Sequence, residues 1–172
     1  MSIQRSHFET TFNKQTLPII LICDAVKSPA NLGALFRICD AFGVQEVVLC
    51  NASVDMSSNR LKRVSRNTEK NVSYRFSDSI SKITSEMKND GFQLVALEIT
   101  NNSVPLNELN LAKKSKIALI IGNEQNGVSK QFLDAAKQTI HIEMFGDNSS
   151  MNIAQATSIT LYSISQQLVL EE

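Results

Sequence analysis

Three short runs in this chain carry residue types suited to chemistry: Asn31-x-Gly33-x-x-x-Arg37, Gly122-Asn123-Glu124-x-x-Gly127 and Ser150-Met151-Asn152. Each follows an apolar run that reads as a strand, in a chain segment rich in polar residues. Gly, Asn and Ser tolerate unusual backbone angles and let a ligand approach main-chain N–H and C=O groups. Open α/β sheets bind their ligands at the carboxyl ends of strands. Loops of this kind suit a neutral or cationic cofactor read by backbone atoms. Taken singly, each run also has a plain structural reading. The Gly122 run could be an ordinary turn into a helix capped by Ser129, and Ser150 and Asn152 could simply cap the last helix. Arg37 alone would be a helix-face arginine paired with a nearby acid.

Other chemistries are missing. The sequence has no GxxxxGK[ST] phosphate loop and no GxGxxG after its first apolar run, and no GxSxG serine elbow. Its two histidines stand apart: His7 in a polar N-terminal stretch, His141 inside an expected strand, where it reads as structural. Cys23, Cys39 and Cys50 are widely spaced and form no CxxC pair, so neither a zinc site nor a disulfide framework is indicated. They read as buried, inert thiols, and no metal site is expected.

Short apolar runs alternate with amphipathic stretches, the pattern of α/β construction. Strands are expected over residues 17–23, 46–49, 72–76, 93–97, 116–121 and 139–144. Helices are expected over 28–42, 57–66 and 78–90, then from Ser129, and finally over 152–170. Residues 101–111 read as a loop. The runs 17–23 and 116–121 are apolar throughout, as strands buried on both faces of a parallel sheet are. Ser28-Pro29 supplies a cap and first turn, and Gly43 and Gly91 supply stops.

The 172 residues, 42% of them hydrophobic, hold no linker, repeat or low-complexity stretch. One domain over residues 1–172 is expected, with residues 1–16 a short N-terminal extension. No apolar run reaches membrane-spanning length and no signal pattern opens the chain, so a cytoplasmic location is expected. The formal net charge is zero, which argues against indiscriminate polyanion binding. Charge is nevertheless uneven: Arg60, Lys62, Arg63, Arg66, Lys70 and Arg75 face a single acid, Glu69. Charge alone makes this a solvated helix face in the simpler reading and a phosphate-backbone contact in the functional one.

Taken together and in order, the three runs resemble the SpoU/TrmH branch of the SPOUT methyltransferases. The similarity extends over roughly residues 17 to 168. It rests on Pro29-Ala30-Asn31-Leu32-Gly33-Ala34-Leu35-Phe36-Arg37 with Asp40-Ala41-Phe42-Gly43, and on Ile121 to Ser129. It rests also on Ile142-Glu143-Met144 leading to Ser150-Met151-Asn152-Ile153-Ala154, and on Leu61 to Arg66 followed by Glu69-Lys70. The family usually has Pro where Glu143 stands, Leu where Met151 stands and often Ser where Ala154 stands. Met for Leu conserves volume, whereas Glu143 adds a charge beside the cofactor loop.

The resemblance implies a mostly parallel sheet flanked by helices, with a C-terminal segment threaded into a trefoil knot, a topology that packing rules alone would not propose. It implies a homodimer with active sites assembled between subunits. It also implies transfer of a methyl group from S-adenosylmethionine to a ribose 2′-hydroxyl of RNA, leaving S-adenosylhomocysteine. A compact chain without an added RNA-binding domain favours tRNA over rRNA.

By the same resemblance Arg37 is the central catalytic residue. It acts either as a general base of unusual acidity or as a phosphate clamp that stabilises developing alkoxide charge. Asn31 would support Arg37, Glu124 would brace its loop, and Ser150 and Asn152 would orient the ribose-phosphate or pin the loop. Cofactor contacts are expected near Leu97, Gly122, Ile142 and Met151, largely through backbone atoms. RNA contacts are expected from Arg60, Lys62, Arg63 and Arg66. Two other readings compete. A non-catalytic RNA-binding protein on this scaffold would not bind the cofactor. An unrelated nucleotide-binding α/β protein would take a phosphate at the helix after the first strand.

Overall fold

The computed structural model describes residues 12–169 together with residues 3, 9 and 10. His7 and Leu170, the expected end of the last helix, lie outside the described residues. The chain runs β1 (Leu17–Asp24), α1 (Pro29–Ala41), β2 (Val44–Cys50), α2 (Asn59–Ser65), β3 (Ser73–Ser77), α3 (Ile80–Asn89) and β4 (Phe92–Leu97). It continues through β5 (Val104–Pro105), β6 (Lys116–Ile121), α4 (Lys130–Ala135), β7 (Gln138–His141) and α5 (Ile153–Val169). The strands form one sheet in the order β3-β2-β1-β6-β4-β7-β5, and every paired neighbour is parallel.

Burial on both faces explains the continuous apolar strands. In β1, Ile19, Leu21 and Cys23 join the core beneath α1, α2 and α5. The alternate residues Ile20 and Ile22 pack with Ile83 and Met87 of α3 and Phe132 of α4 on the opposite face. Period-two alternation thus sends one strand's side chains into two cores. All three cysteines are free and buried. Burial pushes the Cys23 and Cys39 thiols far up, and Cys50 up to about 11, so the thiolate forms are suppressed near neutral pH.

Local chemistry sets the helix ends. The Ser28 side chain accepts from the Asn31 N–H and Pro29 opens α1, while Gly43 beyond its end adopts φ 62°. Gly33 faces α2 so closely that a Cβ there would lie 2.7 Å from the Leu61 carbonyl oxygen. Its place in the first run is therefore set by helix packing. Helix α2 ends at Arg66 in the left-handed conformation. Beyond it Glu69 is buried, and its carboxylate accepts a hydrogen bond from Ser65 Oγ.

Three expectations on the strands are corrected. β2 is longer than residues 46–49 because it is paired along both edges, to β1 and β3. The expected loop 101–111 contains a two-residue strand, Val104–Pro105, on the sheet's outer edge. β7 stops at His141 instead of continuing to residue 144. It has no partner beyond that point: β4 closes opposite Ile140 and β5 opposite His141, where Pro105 has no N–H to extend the ladder. Ile142, Glu143 and Met144 therefore leave the sheet as irregular chain.

Candidate active site

Four loops meet at the carboxyl edge of the sheet, following β1, β4, β6 and β7. Those after β4, β6 and β7, with the first turns of α5, enclose a cleft of about 500 Å³. Parallel strands make this convergence unavoidable, because all their carboxyl ends lie on one edge.

Side chains from three elements are linked across the rim of the cleft. Asn31 Nδ2, in the first turn of α1, donates to Glu124 Oε1 at 2.6 Å. Asn152 Nδ2 donates to Asn31 Oδ1 at 3.0 Å, and Asn152 Oδ1 accepts from the Ala154 N–H at 2.9 Å. The amide orientations follow from the ends of this chain: a carboxylate only accepts, and a backbone N–H only donates. Asn152 thus caps α5 and at the same time holds Asn31.

The loop between β6 and α4 is held from within and from outside. Asn123 Oδ1 accepts from the N–H groups of Gln125 and Asn126 at 2.9 and 2.7 Å. Asn123 and Gly127 exchange two backbone hydrogen bonds. From outside, Glu98 Oε2 accepts the Val128 N–H at 2.9 Å and Asp24 Oδ2 accepts the Ser129 N–H at 2.8 Å. Gly127 has φ 65°, and a Cβ on it would lie 2.2 Å from the Glu98 carboxylate, so the turn and its brace both require glycine there.

The four expected cofactor residues, Leu97, Gly122, Ile142 and Met151, all line this one cleft, and Glu124, Ser150 and Asn152 line it with them. Asn31 reaches it through Glu124 and Asn152. Arg37 is not brought into this group. It stands exposed on α1, about 9 Å further along the helix than Asn31, and does not line the cleft. Within the chain no hydrogen bond joins Asn31 to Arg37; the Asn31 amide is hydrogen-bonded to Glu124 and Asn152 instead. Glu124 pairs with Asn31, while the bracing of its loop falls to Asn123, Glu98 and Asp24. Arg60, Lys62, Arg63 and Arg66 are all exposed on α2 and its end, away from the cleft.

Two cleft residues escaped the sequence reading as site residues. Glu98, the first residue after β4, lines the cleft with its carboxylate held by two backbone N–H groups. His141 also lines it, and its Nδ1 is hydrogen-bonded to Ser103 Oγ at 2.9 Å. A lone acid or histidine beside an apolar strand carries no spacing signal, which is why neither stood out.

Chemically, the cleft joins apolar walls from Leu97, Ile121, Ile142 and Ile153 to the carboxylates of Glu98 and Glu124. Among the described residues, no Lys or Arg lines it. Such a site accommodates an apolar ring and a positive charge, and offers no cation to a phosphate.

Comparison with known proteins gives this site its context. Residues 18–162 match the model of the SpoU rRNA Methylase family. This chain belongs to that family. Among SpoU-family relatives, a tRNA (guanosine(18)-2′-O)-methyltransferase of Aquifex aeolicus is 32% identical over 90% of this chain and 72% of that protein. A 23S rRNA (guanosine(2553)-2′-O)-methyltransferase of Bacillus subtilis is 27% identical over 83% of this chain, which spans only 56% of the relative. The crystal structure of the Aquifex aeolicus TrmH/SpoU tRNA modifying enzyme superposes with a TM-score of 0.78 at 30% identity, covering 90% of this chain and 77% of that one. An AdoMet-bound rRNA methyltransferase from Sinorhizobium meliloti shares the fold, with a TM-score of 0.81 at 24% identity over 93% of this chain and 60% of its own. The α/β fold class and the SpoU family expected from the three runs are borne out.

Proposed function

We propose that this SpoU-family chain methylates a ribose 2′-hydroxyl of RNA with S-adenosylmethionine as donor. The observation that carries the reading is the convergence of Leu97, Gly122, Ile142 and Met151 on one cleft that has carboxylates and, among the described residues, no Lys or Arg. The donor carries a sulfonium charge and a flat purine ring, and carboxylates beside apolar walls fit it. The relatives' names span tRNA and rRNA substrates. We favour tRNA because the tRNA relative is the more similar of the two and is covered over more of its length.

When bound, the donor supplies a methyl group already activated by its sulfonium charge. The protein's part is alignment, and removal of the weakly acidic hydroxyl proton. Ser150 and Asn152 stand at the cleft to orient the ribose-phosphate, with Asn152 fixed through Asn31 to Glu124. Arg37 would clamp the phosphate and offset charge growing on the attacking oxygen.

Arg37 does not line the cleft of its own chain, which supports supply of this residue by a second subunit. A homodimer is further supported by Ile159, Tyr162 and Val169, exposed along one side of α5. The same reading carries a knotted C-terminal segment. In its support, Gln167 of α5 is hydrogen-bonded to the backbone of Leu109 and Leu111 in the connection between β5 and β6. No helix among the described residues is long and apolar enough to cross a membrane, and we place the chain in the cytoplasm with its RNA substrate.

Calorimetric titration with S-adenosylhomocysteine tests the cofactor assignment. Saturable binding is expected, weakened by Gly122→Val, whose Cβ would lie 1.9 Å from the Gly127 backbone and so displace the loop that borders the cleft. Absence of binding by the folded wild-type chain would remove the enzyme reading and leave the RNA-binding one.

A further inference from the structure

We infer that Glu98 holds the vicinal hydroxyls of the cofactor's ribose and so selects a ribonucleoside donor; the inference rests on the methyltransferase reading above. Glu98 is the first residue after β4, next to Leu97 in the chain, and its half-buried side chain lines the cleft. Each carboxylate oxygen accepts one backbone N–H: Oε1 from Ile99 and Oε2 from Val128, both at 2.9 Å. An ionised carboxylate has about four acceptor positions, so one on each oxygen remains for a ligand.

The two backbone bonds come from different loops, one after β4 and one at the start of α4. They fix the plane of the carboxylate before any ligand arrives. The absence of a side chain at Gly127 leaves room for it, since a Cβ there would meet Oε2 at 2.2 Å. Among the residues lining the cleft, no Lys or Arg competes for its free acceptor positions.

A carboxylate held in this way suits a ligand that presents two adjacent O–H donors, one to each oxygen. In a nucleoside that feature is the ribose diol. The surroundings agree with a sugar at this point. Leu97 and Ile142 line the same cleft and offer apolar surface for a purine. An acid at the end of a parallel strand takes ribose hydroxyls in dinucleotide sites for the same chemical reason. If Glu98 were only a brace for the Val128 N–H, it would hold the loop without sensing the sugar.

The test is calorimetric titration of the wild-type protein and Glu98→Ala with S-adenosylhomocysteine and with its 2′-deoxy and 3′-deoxy counterparts. Wild type is expected to bind each deoxy compound roughly tenfold or more weakly than the parent, the loss typical of a hydrogen bond to a charged group. Glu98→Ala is expected to bind the parent more weakly and the three compounds within about twofold of one another, once the charged acceptor is gone. Circular dichroism and thermal melting report whether that variant folds. If it does not, Glu98→Gln takes its place and is expected to show reduced discrimination. Equal binding of the three compounds by wild type, or full discrimination kept by a folded variant, would overturn this inference alone. No binding of the parent compound by wild type would overturn the methyltransferase reading as well.

Discussion

Asn31 and Asn152 lie 121 residues apart in sequence and are joined by a hydrogen bond of 3.0 Å. The bond ties the first turn of α1 to the residue that starts α5, and Glu124 extends it to the loop after β6. An asparagine at position 31 is needed because one amide must donate to a carboxylate and accept from a second amide.

Asn31→Asp keeps the acceptor and removes the donor, placing one carboxylate against another. Methyl transfer is expected to fall by roughly a hundredfold, the scale of a small misplacement of site groups. Binding of S-adenosylhomocysteine should weaken much less. Single-turnover kinetics beside calorimetry would separate the two effects. A variant with wild-type turnover would mean that this linkage does not organise the site.

The position of Arg37 leads to a subunit-mixing experiment. Arg37→Ala and Asn152→Ala proteins, each inactive alone, are mixed under conditions that exchange subunits. If Arg37 serves the partner's cleft, a mixed dimer regains one complete site and activity returns to about a quarter of wild type for random pairing. If Arg37 serves its own cleft, every site in the mixture stays incomplete and no activity returns.

The exposed cations of α2 give a prediction in salt. Reversing Lys62 and Arg63 to Glu should weaken RNA binding and flatten the slope of log affinity against log salt, by about 0.9 for each phosphate no longer neutralised. Affinity for S-adenosylhomocysteine should not change, since neither residue lines the cleft. An unchanged salt slope would assign this segment to plain solvated surface.

Much of this arrangement is legible in the sequence, for identifiable reasons. The doubly buried runs in β1 and β6 betray a parallel sheet, and Ser28, Pro29 and Gly43 mark the ends of α1. The overextension of β7 has a different source. Ile142-Glu143-Met144 looks like strand by composition, but a strand needs partners, and those come from β4 and β5 elsewhere in the chain. The same limit hides the link from Asn31 to Asn152, a pairing that no local spacing encodes. The family resemblance pointed to both residues without showing that they touch. Glu98 was passed over because its significance lies in the N–H groups of Ile99 and Val128 and in the empty space at Gly127, which only the folded chain brings together.

The most direct measurement is methyl transfer itself. The purified protein is incubated with unmodified transfer RNA and, separately, ribosomal RNA, in the presence of methyl-labelled S-adenosylmethionine. The RNA is then digested to nucleosides and analysed by mass spectrometry. The account predicts label in a 2′-O-methylnucleoside, from tRNA in preference to rRNA, and its loss with Arg37→Ala. Label found on a base, or no label in either RNA from a protein that binds the cofactor, would contradict it.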